Sequence, residues 1–165
     1  MNTVHDIIKN SLCLGCGLCE ALDKENCKMV INQEGFYEPI FRDQHRIDHK
    51  VITKICPGIV VHSQVTNQSI WGNVKIVANA WASDSEIRKS SSSGGVTSAL
   101  AISLLETKKV DAVLHVGVEE GTYLYNRLYA STTKEDILSR NASRYAPAAI
   151  FNNIIELLEA EKTYA

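Results

Sequence analysis

The sequence predicts a mixed α/β protein of the α+β type, in which a small loop-rich module is followed by an incomplete α/β domain. Three observations support this class. All five cysteines lie before residue 57, in a region with little periodicity. From residue 74, apolar and polar side chains alternate with the period of a strand. Beyond residue 95, an apolar run of helix length precedes runs rich in β-branched residues. We therefore expect a first module over 1–62, a boundary within 63–73 and a second domain over 74–165.

The second domain is predicted to alternate strands with helices. The alternation over 74–82 predicts a half-buried strand. The apolar run 96–105 predicts a buried helix, with its N-cap supplied by the serines before it. The stretches 110–118 and 123–131 predict two core strands. Apolar residues at helical spacing predict a last helix over 150–161.

Two further expectations concern a short helix and the continuation of the chain beyond its last helix. Thr132 and Thr133 are each followed three residues later by an acidic residue, and these two overlapping capping boxes predict a short helix. In strand–helix–strand units, a helix such as 150–161 leads into another strand. The chain ends shortly after that helix, so we expect the sequence to be the N-terminal part of a longer protein.

Composition and charge limit the classes of partner. The 165 residues carry 17 basic and 19 acidic side chains, a formal net charge of −2, so there is no electrostatic reason to expect nucleic acid or an anionic membrane as partner. The N-terminus lacks the basic start and long apolar run of a secretory signal. The stretch 96–105 is too short to cross a bilayer. We expect a cytoplasmic protein whose partners are proteins or small molecules.

Three cysteines are spaced to bind one metal centre. Cys13, Cys16 and Cys19 form a C-x2-C-x2-C run that is too crowded for mutual disulfides. In bacterial ferredoxins, three thiolates of such a loop take three corners of a [4Fe–4S] cube. A two-cluster ferredoxin has a further cysteine at the position of Asp23 here. We therefore expect a ferredoxin-like module with a single [4Fe–4S] cluster.

The fourth ligand must come from elsewhere in the chain. Cys56 is followed by a proline, as the remote ligand of ferredoxins is, and we prefer it to Cys27, which could be an ordinary buried thiol. Structural zinc is the alternative metal, although zinc sites usually use paired C-x2-C knuckles. The predicted cluster ligands are therefore Cys13, Cys16, Cys19 and Cys56.

A serine–glycine turn precedes the apolar helix. Residues 90–95 are four serines followed by two glycines. Such a turn can place hydroxyls, free N–H groups and the positive end of a helix dipole against a phosphate. The same residues could form a plain N-cap with a flexible entry. Taken alone, the turn favours the second interpretation.

Several motifs together resemble one known family. They are Cys13 to Cys19, Cys56-Pro57-Gly58, Glu86-Ile87-Arg88, Ser92-Ser93-Gly94-Gly95-Val96, Leu104-Leu105-Glu106, Val110-Asp111-Ala112-Val113 and Ser143-Arg144-Tyr145-Ala146-Pro147. They run through nearly the whole chain in the order found in the coenzyme F420 hydrogenase/dehydrogenase beta-subunit family. The sequence resembles that family.

The resemblance implies an iron–sulfur flavoprotein oxidoreductase. Members pass electrons between a cluster, FAD and a reducible partner, which is the deazaflavin F420 in methanogens and a chlorophyll-pathway intermediate in plants. By resemblance, the residues that hold the FAD diphosphate are Ser92, Ser93, Gly94, Gly95, Val96 and Thr97. Ser143, Arg144 and Tyr145 would lie beside the flavin. Members continue into a C-terminal domain, so we expect this chain alone to bind FAD weakly or not at all.

Some residues have simpler interpretations. Without the resemblance, Arg144 would be the partner of a surface carboxylate and Tyr145 a core or rim aromatic. His115 is expected to be a hydrogen-bonded core histidine rather than a ligand. The histidines near the cysteines are expected on the surface: His45, His49 and His62. No catalytic residue is identified, and the electron donor, the substrate and the oligomeric state stay open. The alternative function is a non-enzymatic electron-transfer or scaffold module that binds a cluster or structural zinc without flavin.

Overall fold

The computed structural model describes residues 3–43, 49–60, 71–122 and 124–165. The helices are α1 (Val4–Lys9), α2 (Leu18–Leu22), α3 (His49–Ile55), α4 (Ser85–Ser90), α5 (Val96–Glu106), α6 (Lys134–Leu138) and α7 (Ile154–Glu159). The strands are β1 (Cys27–Ile31), β2 (Tyr37–Phe41), β3 (Val113–Val118) and β4 (Asn126–Ser131). This mixture confirms the predicted α+β class. Within the described ranges, no helix has the length and apolar character needed to cross a membrane.

Some predictions fall outside the described residues. These are the surface positions of His45 and His62, the side chain of His49, residue 123 of a predicted strand, and most of the boundary 63–73. The division into domains over 1–62 and 74–165 stays a prediction.

The N-terminal part contains a β-hairpin that is not among the predicted elements. β1 pairs antiparallel with β2, with Cys27 opposite Phe41 at the open end. Asn32 closes the turn, since its Oδ1 accepts hydrogen bonds from the N–H groups of Glu34 and Phe36, both at 3.0 Å. A side chain that bonds to the backbone in this way favours a turn over a continued strand.

A small apolar core joins α1 and α3 to the cysteines. Val4 and Ile52 are buried at its centre. The side chains packed around them are Ile8, Cys19, Phe41 and Cys56. Two of the predicted metal ligands therefore lie against the same apolar cluster.

The C-terminal part is built on β3 and β4, which pair antiparallel from Val113 opposite Ser131 to Val118 opposite Asn126. Its core contains Ala82, Ile87, Ile102, Val113 and Ile137. The predicted strands over 110–118 and 123–131 are confirmed with shifted ends. The short helix also forms: α6 follows Thr133, whose Oγ1 accepts the N–H of the third helical residue at 3.1 Å.

α7 is shorter than the predicted helix 150–161, and it leads to a parallel bridge. Ala112 forms this bridge with Tyr164. Next to it, the Leu114 N–H donates to the carbonyl oxygen of Ala165 at 2.8 Å. The chain after α7 therefore runs beside the start of β3, as a strand–helix–strand unit requires.

The predicted strand over 74–82 is wrong. These residues have no regular secondary structure. The alternation does not separate a buried face from an exposed face, since Ile76 is 83% and Val77 is 90% exposed. Cross-strand pairs stabilise a strand, and no described strand pairs with this segment. Only Ala82, at its end, joins the core, and its N–H donates to the Gly94 carbonyl oxygen at 2.8 Å.

The prediction that the serines cap the apolar helix is also wrong. α5 follows Gly95 without a side-chain cap. Ser93, Gly94 and Gly95 all have left-handed backbones, with φ of 52°, 77° and 75°, so the chain changes direction between the serines and the helix. The helix itself is confirmed, but it is only partly buried, because Leu100 is 62% exposed.

Candidate metal and cofactor sites

The cysteine loop, residues 12–19, is held tightly on two sides. Gly15 and Gly17 have left-handed backbones, with φ of 65° and 90°. A Cβ on Gly15 would lie 2.9 Å from the carbonyl oxygen of Tyr37 in β2. A Cβ on Gly17 would lie 2.7 Å from the backbone nitrogen of Asn152. Both positions therefore require glycine for its φ and for its lack of a side chain.

Cys56 lies next to the cysteine loop. It follows α3, and its N–H donates to the carbonyl oxygen of Ile52 at 2.8 Å. In the turn that begins there, a Cβ on Gly58 would lie 2.6 Å from the carbonyl oxygen of Leu12. Cys56 and Cys19 also pack on the same small core. The turn that carries the preferred fourth ligand is thus in contact with the loop that carries the other three.

Cys27 lies in the same neighbourhood. It is fully buried on β1, and burial, followed by the charge of Glu20, raises the pKa of its thiol to about 12. The pKa of Cys19 is also raised to about 12, chiefly by burial and to a smaller extent by the charges of the Cys27 and Cys16 thiolates nearby. The pKa values of Cys13 and Cys16 are raised as well, again chiefly by burial. The choice of the fourth ligand stays a prediction.

The chemistry of this donor set fits an iron–sulfur cluster. Such clusters are held by thiolates, and all five cysteines are free. Among the described residues, no three Cys, His, Asp or Glu side chains form a group that could hold a metal ion as they stand. The thiols would therefore have to close around the cluster on binding. The positive charge of iron would offset both burial and mutual repulsion, which oppose deprotonation of the thiols.

The serine–glycine turn forms one wall of a cleft of about 570 Å³, which α5 and β3 complete. The predicted FAD-binding residues that line it are Ser92, Ser93, Gly95, Val96, Thr97 and Ser143. The N–H of Ser143 donates to Ser92 Oγ at 3.1 Å. The structure therefore brings together two motifs that are far apart in the sequence.

The other three predicted residues do not line this cleft. A Cβ on Gly94 would lie 3.2 Å from the Cβ of Trp81. Arg144 lines a neighbouring cleft that also includes Glu119. Tyr145 is 94% exposed. Contact with the FAD diphosphate stays a prediction for Gly94, and a position beside the flavin stays a prediction for Arg144 and Tyr145.

Gly95 is required by packing within the protein. It is buried, and a Cβ there would lie 3.0 Å from both the Cγ2 atom and the carbonyl oxygen of Ile87 in α4. A larger residue would therefore push the turn away from α4, whether or not a phosphate binds. This position cannot serve to test phosphate binding.

Arg140 also lines the cleft, and it is a residue that the sequence motifs do not predict. Its guanidinium carbon lies 4.1 Å from the ring centroid of Tyr129. A Cβ on Gly117 in β3 would lie 2.8 Å from Arg140 Cδ, so this glycine makes room for the arginine stem. An isolated glycine inside a strand pattern often marks such a close approach. Gly117 is the signal that could have indicated it.

His115 is hydrogen-bonded, as expected, but it also lines the cleft. Its Nε2 lies 2.7 Å from the Oγ of Ser131 on the paired strand. Burial and then the charge of Arg140 lower the pKa of this histidine. The neutral imidazole is therefore favoured near the cleft.

Comparison with known proteins gives a family match for the C-terminal part of the chain. No curated protein matches the chain. Residues 77–155 match the family model described as coenzyme F420 hydrogenase/dehydrogenase, beta subunit N-term. The match covers the serine–glycine turn, α5, β3, β4 and Ser143, and it begins after the cysteines. Hydrogenases and dehydrogenases are oxidoreductases. The resemblance to the N-terminal family of coenzyme F420 hydrogenase/dehydrogenase beta subunits is therefore confirmed over residues 77–155.

Proposed function

We propose that the chain is the part of an iron–sulfur flavoprotein oxidoreductase that binds a [4Fe–4S] cluster and contributes to an FAD site. It would relay electrons between the cluster, FAD and a reducible substrate or partner. The observation that carries the proposal is the cleft in which the serine–glycine turn meets Ser143, because both motifs lie in the segment that matches the family.

The cluster would be held by the thiolates of Cys13, Cys16, Cys19 and Cys56. When bound, the cluster accepts and returns one electron at a time. The chain supplies its surroundings. Val4 and Ile52 pack against two of the four cysteines and shield that side from water. Solvent exclusion of this kind is one of the factors that set the reduction potential of a cluster.

The cleft would hold the FAD diphosphate at the start of α5. The first N–H groups of a helix have no partner within it and carry the positive end of its dipole. Ser92, Thr97 and Arg140 are among the polar residues that line the cleft, and Leu100 and Leu104 are among its apolar ones. A volume of about 570 Å³ falls within the usual size of ligand sites. Bound FAD would convert single electrons to two-electron chemistry.

The family name also suggests the partners. It refers to a beta subunit and to coenzyme F420. We propose that another subunit, or the remainder of the same chain, completes the flavin site, and that a redox protein or a small reducible cofactor exchanges the electrons. The reducing cytoplasm, in which thiols persist, is the proposed location.

Anaerobic reconstitution of the full-length protein tests the cluster. The protein should be brown and contain about four iron and four acid-labile sulfide per chain. Cys56→Ser should lower this content, whereas Cys27→Ser should retain it. The reverse result would make Cys27 the ligand. Stoichiometric zinc without sulfide would establish a structural metal and end the electron-relay proposal.

A charge at Thr97 tests the flavin site. Thr97 is exposed in the first turn of α5 and lines the cleft. A carboxylate there stabilises the helix by about 0.3–1 kcal/mol through the dipole, yet it repels a diphosphate. Thr97→Glu should therefore lower the FAD content of the full-length protein without lowering its thermal midpoint, and Thr97→Gln, the neutral control, should retain FAD. Equal FAD content in both variants would refute the position of the diphosphate at the start of α5, and a wild-type protein that binds no FAD would favour the electron-transfer module without flavin.

A further inference from the structure

Residues 141–153, which we call the strap, connect the serine–glycine turn to the cysteine loop. The strap contains no helix or strand. At its start, Asn141 Nδ2 donates to Ser90 Oγ at 2.9 Å. The N–H of Ser143 donates to Ser92 Oγ at 3.1 Å. The first end of the strap is therefore attached to the turn that lines the cleft.

A buried amide holds the middle of the strap. Asn126, at the start of β4, is 5% exposed, and its Nδ2 donates to the carbonyl oxygen of Ala146 at 2.7 Å. Pro147 follows directly. Its ring fixes its own φ and restricts Ala146 to extended conformations. The strap is therefore attached to the sheet at a point where its backbone is stiff.

The last part of the strap lies against the cysteine loop. The N–H of Phe151 donates to the carbonyl oxygen of Cys16 at 2.8 Å. A Cβ on Gly17 would lie 2.7 Å from the backbone nitrogen of Asn152 and 3.2 Å from the carbonyl oxygen of Ala149. Because backbone meets backbone here, neither segment can move without displacing the other.

We propose that the strap fixes the position of the cysteine loop relative to the serine–glycine cleft, with Gly17 and Asn126 as its positioning residues. The proposal rests on the proposed function, in which electrons pass between groups held at these two places. Sites of this kind need their parts held to about half an ångström. Residues 142–146 are exposed, so the attachments, rather than burial, set the course of the strap there. A disturbance at one end should therefore reach the other.

Hydrogen exchange in the full-length protein, free of metal and flavin and kept reduced, tests this coupling. Gly17→Ala forces a methyl group against Asn152, and exchange of the remote Ser143 N–H should become at least about fivefold faster, the lower end of typical coupling between sites. Gly35→Ala is the matched control, because Gly35 has a φ of 88° and its Cβ would meet nothing within 4 Å. The core N–H of Ile102 should exchange unchanged in both. Equal exchange at Ser143 in the two variants would overturn the proposal.

Asn126→Ala is a second test of the same coupling, which decides the proposal if Gly17→Ala does not fold. It removes the middle attachment, and exchange should accelerate at both Ser143 and Phe151. Unchanged exchange at either N–H would overturn the proposal. After reconstitution, loading the cluster should change the Kd for FAD at least about fivefold in the wild type and not in Asn126→Ala. An unchanged wild-type Kd would refute the coupling. A protein that binds neither group would refute the proposed function, while the exchange rates would still decide the role of the strap.

Discussion

Gly58→Ala perturbs the place where the Cys56 turn meets the cysteine loop. Gly58 does not have a positive φ, so the added methyl group acts through contact rather than through backbone strain. Its Cβ would lie 2.6 Å from the carbonyl oxygen of Leu12 and 3.2 Å from Cγ2 of Ile7. Ile7 is buried, and the Leu12 oxygen belongs to the backbone. Neither neighbour can rotate away as a flexible side chain would.

The expected magnitude follows from these distances. Carbon and carbonyl oxygen come to rest at about 3.3–3.6 Å, so the two segments must separate by roughly 0.7–1 Å. Overpacking of this kind costs about 1–3 kcal/mol, which corresponds to a fall in thermal midpoint of roughly 2–12 °C for a chain of this length. The same separation carries Cys56 away from Cys13. If the whole cost opposes closure of the metal site, cluster affinity should fall roughly 5- to 150-fold.

Two measurements check this prediction. Thermal unfolding of the metal-free chain gives the stability, and iron and sulfide content after reconstitution at limiting iron gives the affinity. Gly121→Ala is the control, because a Cβ on Gly121 would meet nothing within 4 Å. It costs only the left-handed backbone penalty at its φ of 81°. Full cluster content and an unchanged midpoint in Gly58→Ala would refute the contact and remove the structural reason for preferring Cys56 to Cys27.

Three further predictions concern the C-terminal part. The N–H and Oγ1 of Thr163 both donate to Asp111 Oδ2 at 2.7 Å, and these bonds lower the pKa of Asp111. Stability should therefore be lost as pH falls through that lowered pKa, and Asp111→Asn should flatten the acid side of a plot of thermal midpoint against pH. His115 has its pKa lowered by burial and by Arg140, so its contribution should be complete above the ordinary value of about 6.5 and decline below it. His115→Gln should abolish that decline, and the same decline in both proteins would contradict it. Thr133→Ala should cost about 1 kcal/mol of unfolding free energy in a denaturant titration, because it removes the N-cap of α6; an unchanged value would show that the cap contributes nothing.

The elements predicted best from the sequence are those fixed by local composition. The apolar run at 96–105 forms α5, and the β-branched stretch at 110–118 contains β3. A helix makes its backbone hydrogen bonds within one segment, so a local pattern is sufficient to indicate it. The cap at Thr133 is equally local, since donor and acceptor are three residues apart.

Strands are harder to predict where the local pattern and the actual pairing disagree. The segment 74–82 has a strand period, but the period does not say whether a neighbouring strand exists, and in the described part of the chain it has none. Conversely, apolar and polar residues alternate only weakly along β1 and β2, and yet both strands form. They are joined by the turn at Asn32, whose hydrogen bonds bring the two strands together. For the segment 74–82 and for the β1–β2 hairpin alike, the presence of a pairing partner decides whether a strand forms, more than the residue pattern does.

The candidate sites divide in the same way. The cysteine loop and the serine–glycine turn could be identified from spacing because only a few bonds separate their residues. Cys56 reaches the cysteine loop and Arg140 reaches the cleft through contacts that no spacing encodes. Both contacts nevertheless occur beside a glycine, at Gly58 and Gly117, where a Cβ would strike the other segment. Gly17 marks the contact with the strap in the same way. A glycine can therefore mark a long-range approach, both inside a strand, as at Gly117, and in a loop or turn, as at Gly17 and Gly58. It gives the place of the contact, while the identity of the partner depends on the fold.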